Sequence, residues 1–214
     1  MATSIALLGG TFDPPHYGHL ALARAALADG RAAGVEFLPA ALPPHKHRSD
    51  ISAAPRRLEM LRRLLDGEPR CAVNPVELER GGFSYTVDTV RELSRRRPEA
   101  SWRLLIGSDM ARDFGLWREA RKLLRLAPPL WAERPDAPWP RDAAALAGRP
   151  GFEAWTAAEL SVLAAGRIGM MPAPINSSRL RELLSRPEDP DARAEAARWL
   201  PGAVADAWLA RGDP

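Results

Sequence analysis

Cysteine is nearly missing from this chain: Cys71 is the only one in 214 residues. A single thiol excludes an intramolecular disulfide and a zinc site made of cysteines, and it makes the cytoplasm the default compartment. Long apolar runs are missing as well. Nothing approaches the roughly 18 residues of a membrane span, so no membrane partner is expected. Met1-Ala2-Thr3-Ser4 lacks the basic start of a secretory signal. Lysine is scarce, with only Lys46 and Lys122; the remaining basic residues are arginines. The net charge is only +3, although the isoelectric point is about 9.6. That excess leaves a nucleic-acid partner open, but a solvated basic surface is the more common reason for it. Aromatics make up 7% and are not interleaved with basic residues as a single-strand platform needs. The 16 glycines and 21 prolines together stay below the roughly one quarter that marks low complexity.

What remains is an ordinary globular composition, 46% hydrophobic and 27% charged. The length is enough to bury a core without staples, in one domain or at most two small ones.

Ile5-Ala6-Leu7-Leu8 is an apolar run ending at Gly9-Gly10 and predicts a buried strand. A helix rich in Ala and Leu follows over residues 18–29, closed by Gly30. Val35–Pro39 predicts a second strand. Between Pro55 and Asp66, Leu58, Leu61, Leu64 and Leu65 predict one apolar helical face, with Arg56, Arg57, Arg62 and Arg63 outside it. Cys71–Val73 and Val76–Leu78 are strand-like, Thr86–Arg95 is helical, and Trp102–Ile106 is the clearest central strand, ending at Gly107. Residues 128–150 read as a loop-bearing region with one or two short elements. Ser177–Leu184 predicts a helix behind Asn176, Ser177 and Ser178, all good N-cap types. One or two final helices follow from Asp189, interrupted at Pro201. Strands alternating with helices give an α/β fold with a mostly parallel sheet. No linker or repeat divides it, so residues 1–214 read as a single domain with a C-terminal helical subregion at about 176–212.

The chemistry concentrates in Gly9-Gly10-Thr11-Phe12-Asp13-Pro14-Pro15-His16-Tyr17-Gly18-His19. Two glycines after a strand allow a tight turn and close approach to a ligand. The helix entrance behind them favours an anion, and His16 and His19 share one helical face. Together they describe a phosphate site at the C-terminal end of the first strand. The histidines alone also allow a surface pair, or a metal pair completed by His45 or His47. Neither the P-loop pattern nor the spaced-glycine dinucleotide fingerprint is present, which argues against a kinase, an ATPase or an NAD-dependent dehydrogenase.

The whole eleven-residue segment resembles the Gly-x-Phe-Asp-Pro-x-His-x-Gly-His signature of the adenylyl- and cytidylyltransferase superfamily. Within it, the resemblance is closest to the bacterial nicotinate-nucleotide adenylyltransferases. Four more blocks follow in family order: Pro43-Pro44-His45-Lys46; Ser84-Tyr85-Thr86 with Thr89; Ile106-Gly107-Ser108-Asp109 with Phe114 and Trp117; and Ile175-Asn176-Ser177-Ser178-Arg179-Leu180-Arg181. Leu200-Pro201, Val204 and Trp208-Leu209 also follow the family's pattern. Coverage is nearly complete and thinnest over 128–170. Asn176 and Ser178 replace the family's Ser and Thr, and both keep a polar side chain. Pro129–Glu133 departs from the usual aliphatic strand and weakens any role for Arg134.

The resemblance implies a Rossmann-like, doubly wound sheet flanked by helices with a small C-terminal helical part. It implies an enzyme that transfers AMP from ATP to nicotinate mononucleotide, giving deamido-NAD and pyrophosphate, without a covalent enzyme intermediate. His16, His19 and Arg181 carry the catalytic roles in this reading. The ATP site would comprise Gly9, Gly10, Thr11, Phe12, His16, His19, Gly107, Asp109, Ser177, Ser178 and Arg181. Lys46, Thr86, Trp117 and Arg118 would bind the mononucleotide. Mg²⁺ is expected with ATP, held by phosphates and water, with no protein ligand named. A nicotinamide-mononucleotide or dual-specificity enzyme is the nearest alternative. A phosphopantetheine adenylyltransferase is further off, since that family usually has Thr at the position of His16. A non-enzymatic RNA-binding protein is furthest.

Overall fold

Interior parallel strands are buried on both faces and therefore read as continuous apolar runs. The run around Ala6, Leu7 and Leu8 forms such a strand, β1 (Ser4–Gly10), which extends through both glycines rather than stopping before them. This is a computed structural model; it describes residues 3–44, 47, 49, 51–133, 139, 144–169 and 175–210. In chain order, β1 is followed by α1 (Tyr17–Asp29), β2 (Gly34–Pro39), α2 (Ala54–Leu64), β3 (Cys71–Val73), α3 (Val76–Arg80), α4 (Thr86–Arg96) and β4 (Ser101–Gly107). The second half runs α5 (Ser108–Arg112), α6 (Ala120–Leu126), β5 (Pro129–Ala132), α7 (Ala144–Ala147), α8 (Ala157–Ala164), β6 (Arg167–Ile168), α9 (Ser177–Leu184), α10 (Pro190–Ala197) and α11 (Gly202–Leu209).

Among the described residues the sheet has six strands in the order β3-β2-β1-β4-β5-β6, all paired in parallel. This is the doubly wound arrangement. The chain lays down β1 to β3 in one direction, then returns to the other side of β1 for β4 to β6. The order reverses between β1 and β4, where sheets of this type take their ligands. The register shows why a crevice opens there. β1 stays paired with β2 as far as Gly10–Pro39, and β4 with β5 as far as Gly107–Ala132. The β1–β4 ladder ends earlier, at Leu7–Leu104, though both strands run three residues further.

Alternate residues of each strand point to opposite faces. Ala6, Leu8, Phe37, Leu105 and Leu130 join Leu20, Met60, Leu61, Leu180 and Trp208 in one core. Leu7, Leu38, Leu104, Ile106 and Trp131 join Val90, Leu93, Leu123 and Leu163 in the other. The C-terminal helices thus share the first core. Pro201 is the N-cap of α11, so the final segment is two helices. No described helix is long and apolar enough to cross a membrane.

Two expectations need correction and a third is filled in. Val76–Leu78 is not a strand but part of α3; the Asn74 side chain accepts from the Val76 N–H (3.1 Å) and turns the chain into a helical turn. The 128–150 region does hold the short elements expected there, α7 and an interior strand, β5, with all four residues buried. Trp131 takes an aliphatic position there because its indole N–H reaches the Leu163 carbonyl at 2.8 Å. Finally, Arg57 is not on the solvent side of α2: it is 2% exposed, in line with Met60, Leu61 and Leu64.

Candidate active site

The segment after β1 is a tight, internally braced turn. Phe12 adopts φ +52°, a left-handed conformation that costs an L-residue roughly 1–2 kcal/mol. Its neighbours hold it on both sides. Arg57 Nη1 donates to the Thr11 carbonyl at 2.9 Å, and Arg181 Nη1 donates to the Asp13 carbonyl at 2.7 Å. The Asp13 side chain is buried and accepts from the Ser52 N–H at 2.9 Å. Burial lowers the Arg57 pKa from its ordinary value and the Asp13 carboxylate opposes that shift; an arginine starts so high that it stays charged. The Asp13–Pro14 peptide is cis.

This turn delivers the two histidines. His16 is the N-cap of α1 and is 5% exposed; His19, one turn on, is half-buried. Their rings lie 3.7 Å apart between centroids. His19 Nδ1 accepts from the His16 backbone N–H at 3.2 Å. An accepting Nδ1 leaves the proton on Nε2, so His19 is set as a donor from Nε2. The Phe12 ring meets the His19 ring edge-on at 4.9 Å.

The candidate phosphate site differs from its expected form. The helix entrance was expected to offer free N–H groups to an anion. Instead the Tyr17 N–H donates to the Trp199 carbonyl at 2.8 Å, and the His19 N–H to the His16 carbonyl at 2.9 Å. Side chains, rather than the start of α1, therefore have to supply most of the donors. Phe12 needs a similar correction: its side chain is 1% exposed, packed on Phe37 and His19, so only its backbone can face a ligand. Gly9 is exposed, and a Cβ there would meet nothing within 4 Å. A Cβ on Gly10 would come within 3.0 Å of the Phe12 ring, so this glycine makes room for the turn itself.

The start of α9 is sewn to the same turn. Ser177 Oγ donates to the Pro14 carbonyl at 2.9 Å, so its hydroxyl proton is engaged in the fold. Asn176 is the actual N-cap, accepting from the Arg179 N–H at 2.8 Å. Ser178 is exposed and accepts from Arg181 Nη2 at 3.1 Å. Arg181 thus stands between α9 and the histidine turn. On the far lip of the crevice, Gly107 ends β4 and is the N-cap of α5, and Asp109 is exposed in its first turn.

A second cluster lies at the start of α4. Thr86 opens that helix and is half-buried. Ser84 stitches this segment to the loop after β2: its Oγ accepts from the Ala41 N–H and its N–H donates to the Leu42 carbonyl, both at 2.9 Å. Trp117 is half-buried on Phe114, with ring centroids 5.3 Å apart. The Arg118 side chain does not point away as a ligand arm. Its guanidinium lies over the Tyr85 ring at 4.5 Å and faces Asp88 at 3.3 Å. Lys46 and His45 lie outside the described residues. His47 is exposed, and among the described residues no group of three His, Cys, Asp or Glu side chains could hold a metal ion.

The sequence reading missed Arg57 as a builder of this region and quoted Asp13, Ser84 and Tyr85 only as members of motif blocks, without a bracing part. Arg57 had a usable signal, since 57, 60, 61 and 64 follow the spacing of a single buried stripe.

Comparison with known proteins gives the same direction. The cytidylyltransferase-like family matches residues 7–182. A Bordetella petrii protein described as a probable nicotinate-nucleotide adenylyltransferase is 41% identical over 94% of this chain and 93% of its own. One of the same description from Exiguobacterium sibiricum is 46% identical over 56% of this chain and 64% of its own. Among solved structures, Plasmodium falciparum nicotinic acid mononucleotide adenylyltransferase complexed with NaAD superposes with a TM-score of 0.73 at 16% identity. That match covers 97% of this chain and 95% of the other, and it speaks to the fold.

Proposed function

Since the chain belongs to the nicotinate-nucleotide adenylyltransferases of the cytidylyltransferase-like family, we propose that it joins nicotinate mononucleotide to the AMP moiety of ATP. The products are deamido-NAD and pyrophosphate. One observation carries this reading: Ser177 and Arg181 are hydrogen-bonded to Pro14 and Asp13, 163 and 168 positions earlier, in the turn that presents His16 and His19. That arrangement puts imidazole, guanidinium and helix-start donors at one point beside the opened β1–β4 crevice.

The chemistry needs little more. An oxygen of the mononucleotide phosphate forms a bond to the ATP α-phosphorus, and the bond from that phosphorus to the bridging oxygen breaks with its electron pair going to pyrophosphate. A phosphate with a second pKa near 6 is already deprotonated at neutral pH, so no general base is required. Catalysis is positioning and charge stabilisation. In this proposal His19 Nε2–H and His16 meet charge developing at the α-phosphoryl group. Arg181 and the N–H groups of Ser177 and Ser178 hold the departing phosphates. The backbone of Gly9, Gly10, Thr11 and Phe12 lines the nucleotide, and the Asp109 carboxylate accepts from ribose hydroxyls. Trp117 stacks on the pyridine ring, Thr86 donates to the nicotinate carboxylate, and the backbone N–H after Trp117 assists. Lys46 belongs to the mononucleotide side. Where Mg²⁺ accompanies ATP, it would neutralise part of the phosphate charge, and no residue of this chain is assigned to hold it. The cytoplasm is the proposed compartment.

The test is pyrophosphate release with ATP and a panel of nicotinate mononucleotide, nicotinamide mononucleotide and phosphopantetheine. Preferential turnover of the first supports the reading. Equal kcat/KM for the two mononucleotides would move the protein to a dual-specificity subgroup, and preference for phosphopantetheine would overturn the proposal.

A further inference from the structure

Arg57 sits buried in α2, beside Met60 and Leu61. Three backbone carbonyls from separate segments converge on it: Nη1 donates to Thr11 (2.9 Å) and Ala40 (2.8 Å), and Nε donates to Ser52 (2.9 Å). A buried charge is costly, and an apolar side chain beside Met60 and Leu61 would often serve stability as well. An arginine here is therefore explained better by what its fork holds than by packing. The carbonyl of Thr11 immediately precedes Phe12, whose φ is +52° and whose ring edge meets His19. Fixing the Thr11 peptide fixes the plane from which Phe12 departs.

Resting on the function proposed above, we propose that Arg57 is a positioning residue for the phosphoryl transfer. It holds the Thr11 carbonyl and, through the Phe12 turn, the orientation of the His19 imidazole. It touches no substrate and acts on the chemical step through His19.

A double-mutant cycle with Arg57→Lys, His19→Ala and the pair tests this, run at saturating ATP with whichever acceptor the unmutated protein turns over. Lysine retains the buried charge but reaches the carbonyls from a single point, so folding is checked by circular dichroism and melting. Arg57→Lys should lower kcat by about 10-fold and change either KM by less than about threefold, because misplacing a catalytic group by about 1 Å can cost up to about 10²-fold. In the His19→Ala background the same change should cost less than about twofold more, since residues acting as a unit are non-additive. Additive losses, or a loss confined to KM, would overturn the proposal. The acceptor used by the unmutated protein tests the functional reading separately. One readout needs no turnover: ¹⁵N shifts of the His19 ring should show Nδ1 as the unprotonated nitrogen in the unmutated protein and move toward a tautomer mixture in Arg57→Lys. Unchanged His19 shifts in Arg57→Lys would contradict the assignment.

Discussion

The two halves of the crevice are built by different means. The half proposed to take the phosphates is cross-braced: Arg57, Asp13, Ser177 and Arg181 fix the turn through half-buried hydrogen bonds. The half proposed for the acceptor lies on helix starts and a 3-10 turn at Phe114–Leu116, with Phe83 54% and Leu116 63% exposed. Its Arg118–Asp88 pair is solvent-facing, and such pairs contribute about 0–1 kcal/mol. Charge that develops at a phosphorus needs donors already in place, because reorganising them during the reaction would raise the barrier. A flat pyridine ring needs only a stacking surface and a few donors, which can settle as it binds.

The sharpest way to break this contrast is His19→Ala. It should lower kcat by about 10²-fold or more, the scale of losing one preorganised donor. The melting temperature should fall by only about 2–4 °C, the scale of about 1 kcal/mol for the lost hydrogen bond to the His16 N–H. Retention of more than half the activity would remove His19 from the mechanism. Arg181 comes next. Arg181→Lys loses the fork that now bonds both the Asp13 carbonyl and Ser178, so ATP-dependent steps should fall by about 10-fold, within the range of one charge-assisted hydrogen bond. The acceptor KM should stay nearly constant; unchanged ATP kinetics in both the Lys and the Ala variants would refute the assignment.

Substitutions in the acceptor half should alter selectivity rather than chemistry. A carboxylate only accepts hydrogen bonds, whereas an amide also donates. Thr86→Val should therefore narrow the acid-to-amide ratio of kcat/KM by about 5- to 10-fold, the worth of one mismatched buried group. Trp117→Ala should weaken both mononucleotides alike. Arg118→Ala should leave that ratio within about twofold, since its guanidinium is engaged with Tyr85 and Asp88 in a solvent-facing pair. A collapse of selectivity in Arg118→Ala would restore it as a direct ligand.

The smallest effect lies away from the crevice. Glu159 completes a capping box with Thr156 and pairs with Arg121 at 2.8 Å, and the Arg121 hydrogen bond chiefly brings its pKa down to about 2. A lowered carboxylate pKa stabilises the fold above the unfolded value of about 4.3, and that contribution is lost as pH falls through the folded value. Glu159→Gln should therefore reduce the melting temperature at neutral pH, and its deficit should shrink between about pH 4 and 2. A deficit independent of pH would mean that the charge does not contribute.

Much of the first half of the molecule was legible because local backbone demands wrote it into local sequence. Gly30 closes α1 at φ +84°, and the Gly9–His19 segment carries its turn, N-cap and ring pair within eleven residues. What could not be read depends on partners far away in sequence. The Tyr17 N–H is occupied by Trp199, and Ser177 gives its proton to Pro14. β5 was legible only as a short element, because Pro129 and Trp131 are unusual in an interior strand and the Leu163 carbonyl makes the buried indole acceptable. Arg57 was assigned to solvent because its charge outweighed its place in the 57–60–61–64 stripe.

Amide hydrogen exchange of the free protein tests the contrast most directly. Peptides covering residues 10–20 and 52–57 should be protected before any substrate is added and change little with ATP. Peptides covering 83–88 and 114–119 should exchange quickly and gain protection only with the mononucleotide. Fast exchange around the histidine turn, slowed only by ATP, would contradict a phosphate site that is assembled in advance.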